Sequence, residues 1–363
     1  MKVCHFTSAH FANDDRIYLK ECRTLFDAGY EVVIVAKGED RELDGIRVAG
    51  CGEASGRLGR LFGFSKKVYK TALEQDCDVY HFHDPELLPY GIKLKKKGKI
   101  VIFDSHEDVP GQILDKYWIP KPLRSLVSKL YRAYETRAAK KIDTVVAATP
   151  YIAEQFRGRA RKIAVVNNYP MLDDIRFCET PFEKRERIAC YAGGISELRG
   201  EKIMNEAALG LDVSLVLAGD CDEEKLGTNG NVTYLGKIDR NGVNELYGSA
   251  VLGLCILLPA KNYVNSQPIK MYEYMAAGLP FVCSDFPIWK EIAEGSGAGI
   301  CVPYNDMDAI RGAINTLLED REKAQEMGRR GRKAVEEKYS WDSERRNLLG
   351  LYKELMGNGS NTL

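Results

Sequence analysis

Short apolar segments alternate with longer amphipathic segments along the whole chain, and this alternation constrains the fold more than any other feature. The apolar segments are near-continuous, which is typical of strands buried on both faces of a parallel sheet. Strands that alternate with helices form α/β sheets with helices on both faces. The predicted strands are residues 3–6, 31–36, 79–82, 100–103, 144–147, 163–166, 188–191, 214–218, 232–235, 251–256, 280–283 and 299–302.

The number of predicted strands indicates two domains. A dozen strands are many for one open sheet, and 363 residues are too many for one ordinary hydrophobic core. The alternation breaks at residues 167–181, where two asparagines, two prolines and a pair of aspartates interrupt it. We therefore expect two doubly wound parallel sheets, separated near this break.

Charge and cysteine content exclude several classes of protein. Lys and Arg total 52, as do Asp and Glu, so the net positive charge typical of nucleic-acid-binding proteins is missing. No two of the ten cysteines lie within three positions of each other, which fits neither a zinc motif nor a disulfide framework. The first residues lack a signal-peptide core, and no stretch approaches the roughly 18 apolar residues of a membrane span. We expect a cytoplasmic protein with reduced thiols.

Polar residues follow the predicted strands at the edge where doubly wound sheets bind ligands. His106 follows strand 100–103 beside carboxylates, which suits acid–base or hydrogen-bonding chemistry; a capping turn in which His106 merely packs explains the pattern equally well. His83 and Asp84 follow strand 79–82. His81 and His83 could bind zinc together, but no third ligand stands at motif spacing, and we expect His83 and Asp84 to line the same site as His106.

The stretch NSQPIKMYEYMAAG, residues 265–278, predicts a helix with Pro268 in its first turn and Ser266 as its cap. A helix N-terminus offers free N–H groups and a positive dipole end to a phosphate. Lys270 in the first turn opposes the dipole unless an anion lies nearby. Glu273 shares the face of Lys270, and the alternative is a simple surface Lys–Glu pair.

The stretch YAGGISELRG, residues 191–200, joins a predicted strand to a helix. Gly193 and Gly194 permit a tight turn close to a ligand, as a phosphate loop requires. Arg199 could contact a phosphate through its fork of donors. The spacing matches neither the dinucleotide fingerprint nor a Walker loop, so the motif alone is weak.

Two Asp-x-Asp triplets stand at residues 76–78 and 220–222. Paired carboxylates can hold Mg²⁺ or Mn²⁺ on a nucleotide diphosphate. Two such triplets are unsurprising in a chain with 52 acidic residues, and we expect no metal site. Asp220 follows a strand and stays a candidate for ligand binding.

The segment 116–141 is basic and is interleaved with aromatic residues that include Trp118 and Tyr134. Such a segment could lie on an acidic membrane surface. A core helix with a solvated basic face is the interpretation that we favour.

Taken together, these segments resemble the retaining GT-B glycosyltransferases of family 4, also called glycosyl transferases group 1. The resemblance covers nearly the whole chain, and its last segment is the most specific. In order, the matching segments are DDRIYLKECRTLFDAGYEVVIVA, VYHFHDPELLPYGI, IVIFDSHED, DTVVAATPYIAEQF, IAVVNNYP, YAGGISELRG, LVLAGDCD, VTYLGKI and PIKMYEYMAAGLPFVCSDFPIWKEI.

This resemblance implies two Rossmann-like domains that face a cleft, with a nucleotide-sugar bound there and no metal or other cofactor. Residues 1–168 would form the acceptor-side domain and residues 169–340 the donor domain. A C-terminal helix within 341–363 would return to the N-terminal domain.

The resemblance also implies roles for single residues. His106 would contact the donor sugar, Arg199 the diphosphate and Glu273 the ribose hydroxyls; with Lys270 these are the predicted catalytic residues. The backbone after Leu235 would lie against the base. The predicted donor-binding positions are Gly193, Gly194, Asp220, Gly236, Lys237, Ile238, Asn265, Ser266, Gln267, Pro268 and Ile269.

Three positions depart from the family pattern. Asn265 stands where the family has the first Glu of its Glu-x7-Glu motif, and Gly194 stands where it has a basic residue, whose charge Lys270 could supply. An Asn-Asp-Asp-Arg string replaces the N-terminal Gly-Gly loop, which makes Arg16 a candidate for contacting a phosphate. These departures bear on the donor more than on the fold.

The sequence therefore predicts retaining transfer of a sugar from a UDP- or GDP-sugar to a glycan or lipid-linked acceptor, in surface polysaccharide synthesis at the inner face of a membrane. A nucleotide-sugar epimerase and a non-catalytic sugar-nucleotide-binding protein are the alternatives. A nicotinamide oxidoreductase is disfavoured because the first strand leads into TSAHFAND rather than a GxGxxG motif. Nucleic acid is not an expected partner.

Overall fold

The computed structural model describes residues 1–54, 56–116, 118–221 and 230–357. The chain divides into two compact units. The first unit contains Met1–Asn168 and the segment from Glu344 onward, and the second unit is Tyr169–Ser343. The second unit thus ends at Ser343 rather than at residue 340, and the last segment of the chain belongs to the first unit.

The first unit is built on an eight-stranded sheet with the order β3-β4-β2-β1-β5-β6-β7-β8. Every neighbouring pair is parallel except β3 and β4. The strands are β1 (Lys2–Phe11), β2 (Glu31–Lys37), β3 (Arg41–Leu43), β4 (Ile46–Gly50), β5 (Val79–Phe82), β6 (Ile100–Ser105), β7 (Thr144–Ala147) and β8 (Ile163–Val165).

Helices connect these strands. The segment Asp15–Cys22 is a π-helix, with i→i+5 hydrogen bonds, and it continues directly into the first α-helix. Asp14 begins it, because its carboxylate accepts hydrogen bonds from two backbone N–H groups of the first turn. The α-helices are α1 (Arg23–Asp27), α2 (Gly56–Gly59), α3 (Ser65–Glu74), α4 (Leu88–Lys96), α5 (Val109–Asp115), α6 (Lys121–Ala139) and α7 (Pro150–Phe156), with shorter helical turns at Arg60–Phe64 and Pro85–Leu87.

The second unit is built on a six-stranded, wholly parallel sheet with the order β11-β10-β9-β12-β13-β14. Its strands are β9 (Ile188–Ala192), β10 (Ser214–Ala218), β11 (Val232–Tyr234), β12 (Leu252–Cys255), β13 (Phe281–Ser284) and β14 (Gly299–Val302). Its helices are α8 (Glu201–Ala208), α9 (Arg240–Ser249), α10 (Lys261–Val264), α11 (Ile269–Ala277), α12 (Pro287–Ser296), α13 (Met307–Glu319) and α14 (Arg321–Glu337), with helical turns at Leu172–Asp174, Phe182–Lys184 and Glu197–Arg199. The last helix is α15 (Trp341–Gly357). None of the described helices is long and apolar enough to cross a membrane.

All twelve predicted strands are present, and the hairpin of β3 and β4 was not predicted. These strands are short, and charged residues interrupt their apolar residues, so they lack the continuous apolar run that marks the others. The available signal was Asp44-Gly45, which forms the two-residue turn with φ angles of 45° and 83°. Asp-Gly between two short strands is a strong hairpin signal because both turn residues need positive φ.

The two sheets differ in what their faces bury. In the second unit, Ala189 and Tyr191 of β9 pack into one apolar cluster, and Cys190 and Ala192 pack into another on the opposite face. This is the pattern of a doubly wound sheet.

In the first unit, Phe6 on β1 and its neighbours Tyr80 and Phe82 on β5 join an apolar core. The opposite face of the same two strands carries His5 and His81, which are fully buried and are paired in register. One face of these central strands is thus apolar and the other is polar.

Replacement of Gly219 by alanine should destabilise the second unit by about 2–5 kcal/mol, because φ is +136° there and a Cβ would lie 1.9 Å from the carbonyl oxygen of Gly193. Urea unfolding followed by fluorescence of the second unit's Trp289 and Trp341 measures this loss. The matched control is Gly295→Ala in α12, where a Cβ meets nothing within 4 Å. Equal unfolding midpoints for the two variants would contradict the close approach.

Candidate active site

Each sheet has one position where the strand order reverses, and polar residues collect there in both units. In the first sheet this position lies between β1 and β5, and in the second sheet between β9 and β12. Ligands of doubly wound sheets bind outside the carboxyl ends of the strands at such positions.

In the first unit, His106 follows β6 and is held by Asp104. His106 Nε2 lies 2.8 Å from Asp104 Oδ2, and the buried His83 contacts the same oxygen through Nδ1 at 3.2 Å. The Nδ1 atom of His106 has no hydrogen-bond partner among the described residues. His106 is partly exposed, so one ring nitrogen is anchored and the other can reach a ligand.

The carboxylate of Asp104 is buried and is matched by the guanidinium of Arg16. Arg16 Nε donates to Asp104 Oδ2 and Arg16 Nη2 donates to Oδ1, both at 2.9 Å. Burial alone would raise the pKa of Asp104, but Arg16 and the two histidines hold that pKa well below its ordinary value. Asp104 is therefore an anion that fixes the rings of His83 and His106.

The predicted phosphate contact of Arg16 is not favoured by this arrangement. Its side chain is only 4% exposed and forms a bidentate ion pair with Asp104. A buried guanidinium in such a pair has little freedom to meet a phosphate. Arg16 instead holds the acidic centre of the polar cluster.

A pocket of about 550 Å³ opens beside His106 in the first unit. His83 and Asp84 line it, as the sequence predicted for a shared site, although both are buried. Asp84 Oδ2 accepts hydrogen bonds from the Thr7 hydroxyl at 2.7 Å and from the Ser8 N–H at 2.6 Å, so it shapes the end of β1.

His10 also lines this pocket, and sequence reasoning missed it. Its Nδ1 lies 2.9 Å from Asp14 Oδ2, and its ring lies 6.1 Å from that of His106. The hydrogen bond to Asp14 raises the pKa of His10. The sequence signal that could have identified His10 is its position at the end of the first strand. This signal was missed because β1 extends to Phe11, beyond the predicted strand 3–6.

In the second unit, the Gly193-Gly194 turn follows β9 and lies between two cations. A Cβ on Gly193 would lie 3.3 Å from Lys270 Cε, and a Cβ on Gly194 would lie 3.2 Å from Arg199 Nη1. The Tyr191 hydroxyl donates to the Gly194 carbonyl at 3.1 Å and holds the turn. The structure thus brings together both glycines, Arg199 and Lys270, as the phosphate prediction required.

Glu273 on α11 is buried and receives three donors. Lys270 Nζ lies 2.5 Å from Oε2, the Tyr247 hydroxyl donates to Oε2 at 3.0 Å, and Arg240 Nη1 donates to Oε1 at 2.9 Å. Burial alone would raise the pKa of Glu273, but Lys270 and Arg240 hold it below its ordinary value. The Lys270–Glu273 pair is therefore not the simple surface pair of the alternative interpretation.

The start of α11 differs in detail from its prediction. Pro268 precedes the helix as its cap residue rather than lying in the first turn, and the Ser266 hydroxyl donates to the Tyr263 carbonyl instead of capping. The N-terminus of α11 carries no side-chain cap. Asn265 and Gln267 lie in the half-buried loop before it, and Ile269 is 40% exposed at its first position.

The remaining predicted donor-binding residues lie after β10 and β11. The Gly236 carbonyl accepts from the Gly219 N–H at 2.8 Å, which ties these two strand ends together. Ile238 packs against the core, whereas Lys237 and Asp220 are exposed and form a 3.5 Å ion pair. Asp222, the second carboxylate of its triplet, lies outside the described residues.

Replacement of Asp104 by asparagine should destabilise the first unit by about 3–5 kcal/mol, because Arg16 would keep a buried charge without its partner. Hydrogen exchange of the amides in β1 and β5, measured with increasing denaturant, reports this loss in the first unit. Asp76→Asn is the control, since Asp76 pairs with Lys99 at an exposed site and should unfold like wild type. If Asp104→Asn were as stable as Asp76→Asn, Asp104 would not be the partner that neutralises the buried Arg16.

Comparisons with known proteins agree with this architecture. The sequence profile of "Glycosyltransferase Family 4" matches residues 17–169, and that of "Glycosyl transferases group 1" matches residues 176–334. The chain is 24% identical to phosphatidyl-myo-inositol mannosyltransferase of Mycolicibacterium smegmatis, over 94% of this chain and 90% of that protein. It is 25% identical to the D-rhamnosyltransferase WbpZ of Pseudomonas aeruginosa, over 74% and 71% of the two chains.

Solved structures of similar fold include sucrose-phosphate synthase from Thermosynechococcus elongatus, with a TM-score of 0.77, 18% identity and coverage of 99% of this chain and 100% of that one. HepE of Anabaena in complex with UDP and glucose superposes with a TM-score of 0.73 at 14% identity, over 98% and 100% of the chains. These likenesses show the GT-B fold. Together with the two profiles, which cover both units, they identify the chain as a glycosyltransferase that belongs to family 4, the glycosyl transferases group 1.

Proposed function

We propose that the enzyme moves a sugar from a UDP- or GDP-sugar to a hydroxyl of a glycan or lipid-linked acceptor, with retention of configuration. The observation that carries this proposal is the placement of Arg199 and Lys270 against the Gly193-Gly194 turn at the end of β9. Loss of a nucleoside diphosphate develops negative charge on the leaving group. Fixed cations beside a tight turn stabilise that charge in the transition state.

Arg199 is the better placed of the two cations to receive a diphosphate. Among the described residues, no carboxylate is paired with Arg199, and its polar neighbours are the hydroxyls of Tyr191 and Tyr263. Burial lowers the pKa of Arg199, but these hydroxyls outweigh burial and raise it. Lys270 already shares its charge with Glu273, so it would bind an anion with Glu273 as its permanent partner.

Glu273 and His106 would position the donor rather than react with it. The carboxylate of Glu273 is fixed by Arg240 and Tyr247, and a carboxylate so held can accept hydrogen bonds from ribose hydroxyls. His106, anchored by Asp104, would hydrogen-bond the sugar. Asn265 would act as a neutral partner where the family has an acidic residue.

The relatives' names support the donor class without choosing within it. GDP-mannose-dependent mannosyltransferases acting on a phosphatidylinositol mannoside are among the relatives, and HepE binds UDP. The mannosyltransferases favour a lipid-linked acceptor for this chain. Surface polysaccharide synthesis in the cytoplasm, at the inner face of a membrane, is the setting that we propose.

We propose a metal-independent reaction in which the departing phosphate oxygen accepts the acceptor's proton. Among the described residues, no carboxylate near the glycine turn is arranged as a covalent nucleophile, since Glu273 is fixed in place by three donors. Proton NMR of the new glycosidic linkage gives its anomeric configuration directly. A product of inverted configuration would refute retention.

UDP or GDP should raise the unfolding temperature of the protein, and Mg²⁺ should leave that rise unchanged. A ligand at a hundred times its dissociation constant adds about 2.7 kcal/mol to the stability of the state that binds it. A panel of UDP, GDP, ADP and NAD, each with and without Mg²⁺, separates the nucleotide classes. Arg199→Ala and Lys270→Ala should weaken the response and lower kcat about 10²–10³-fold.

Lys333→Ala on α14 is the matched control, because Lys333 is an exposed cation far along the chain from the glycine turn. Full turnover by Arg199→Ala at saturating donor would refute the diphosphate contact. A response to NAD alone would favour an oxidoreductase, and donor consumption without any acceptor would favour an epimerase.

We also propose that α6 lies on an anionic membrane surface. Leu123, Leu126 and Leu130 recur at helical spacing on α6 and are 48%, 55% and 62% exposed. Interfacial helices combine such an apolar stripe with basic residues. The favoured sequence interpretation, a core helix with a solvated basic face, holds for the face of α6 that buries Ser128, Glu135, Ala138 and Ala139, whereas the three leucines lie on its exposed side.

Wild-type protein should sediment with vesicles that contain phosphatidylglycerol, and the double variant Leu126→Gln/Leu130→Gln should bind at least about tenfold more weakly, because each leucine would bury apolar area in the interface. Leu198→Gln is the control, since Leu198 is 54% exposed in the second unit. Equal binding by both variants would exclude α6 as the contact.

A further inference from the structure

Three buried histidines converge on one carboxylate oxygen in the first unit. Around Glu21 Oε2, His5 Nδ1 lies at 3.7 Å, and the Nε2 atoms of His81 and His83 each lie at 4.0 Å. His5 Nδ1 and His83 Nε2 are themselves 3.0 Å apart. The chain has only five histidines, and three of them meet here from two adjacent strands.

The outward ring nitrogens of these histidines all have partners. The Tyr352 oxygen lies 2.9 Å from His81 Nδ1 and 3.3 Å from His5 Nε2, and Asp104 Oδ2 lies 3.2 Å from His83 Nδ1. When these outward nitrogens carry the protons, the inward nitrogens are lone-pair acceptors. Such outer hydrogen bonds orient the histidine ligands of metal ions in proteins.

Several inward-facing atoms of the cluster lack a hydrogen-bond partner among the described residues. Three of these atoms are both oxygens of Glu21 and His81 Nε2. They are buried and have no hydrogen-bond partner among the described residues. Arg16 Nη2 lies 3.2 Å from Glu21 Oε1, but without hydrogen-bond geometry. A proton shared by His5 and His83 would satisfy one contact and leave the other atoms unpartnered. Buried polar atoms without partners are costly and rare.

The spacing of the donor atoms suits a small cation. In a tetrahedral zinc site with bonds of about 2.0–2.1 Å, the ligand atoms lie about 3.3 Å apart. Four separations among these donor atoms, those from Glu21 Oε2 to the three histidines and that between His5 and His83, are 3.0–4.0 Å, so shifts of a few tenths of an ångström at each ligand would bring these pairs to that spacing.

We propose that the first unit binds one structural Zn²⁺ through His5 Nδ1, His81 Nε2, His83 Nε2 and Glu21 Oε2. The ion would join β1, β5 and the helix Asp15–Cys22, with α15 attached through Tyr352. No position for a reacting water or substrate is needed, because all four ligands are buried. The ion would have a structural role, although its ligand His83 also lines the pocket beside His106 and shares Asp104 with that residue. The third and fourth ligands come from distant parts of the chain that motif spacing does not reveal.

The test uses the full chain, stripped of metal with a chelator and then given one equivalent of Zn²⁺. After gel filtration, mass spectrometric metal analysis should find about one Zn²⁺ per chain, with a higher unfolding temperature than the stripped protein. Co²⁺ in place of Zn²⁺ should give the intense visible bands of four-coordinate cobalt, without thiolate charge-transfer bands. Tyr352→Phe should weaken Zn²⁺ binding about 10–100-fold in competition with a chromophoric chelator.

Tyr274→Phe is the matched control, because Tyr274 is a buried tyrosine of the second unit whose hydroxyl also makes two hydrogen bonds. Its affinity for Zn²⁺ should equal that of wild type. The proposal is overturned when wild-type protein retains no Zn²⁺ and gains no stability from it. It is equally overturned by thiolate bands in the Co²⁺ spectrum, or by equal affinity of the two tyrosine variants.

Discussion

The ion pair of Asp104 and Arg16 is the interaction on which the polar half of the first unit depends. A buried carboxylate is tolerated in a protein interior only with a fixed countercharge and satisfied lone pairs, and Arg16 supplies two hydrogen bonds while His83 and His106 use the remaining capacity. The orientation of His106 is therefore determined by groups that themselves never meet solvent. Any ligand that His106 touches is positioned by this interior anion.

In the second unit, close backbone contacts rather than a buried ion pair hold the glycine turn in position. A Cβ on Gly200 would lie 1.6 Å from the carbonyl oxygen of Ile256, and one on Gly219 would lie 1.9 Å from that of Gly193. Segments after β9, β10 and β12 therefore approach one another more closely than side chains would allow. The glycine turn is held in place by main-chain contacts, which leaves Arg199 and Lys270 as its charged neighbours.

The sequence predicted the features that are determined by a few adjacent residues. It did not predict the features that depend on tertiary contacts between distant residues. Strand β9 and the Gly193-Gly194 turn follow from apolar runs and turn chemistry in a few adjacent residues. The burial of Arg16 does not, because an arginine beside two aspartates reads as a surface residue until its distant partner Asp104 is known. Likewise Glu21 stands in an amphipathic segment, and only the tertiary structure turns it toward three histidines.

The π-helix Asp15–Cys22 determines the direction in which Glu21 points. Arg16 and Glu21 are five residues apart, and in an α-helix of 3.6 residues per turn they would diverge by about 140°. The i→i+5 pattern stacks them on one side instead, where both reach the interior. The number of residues in this segment is thus as constrained as their identity. Loss of a single residue between them would turn one charge out to solvent and leave the other buried alone.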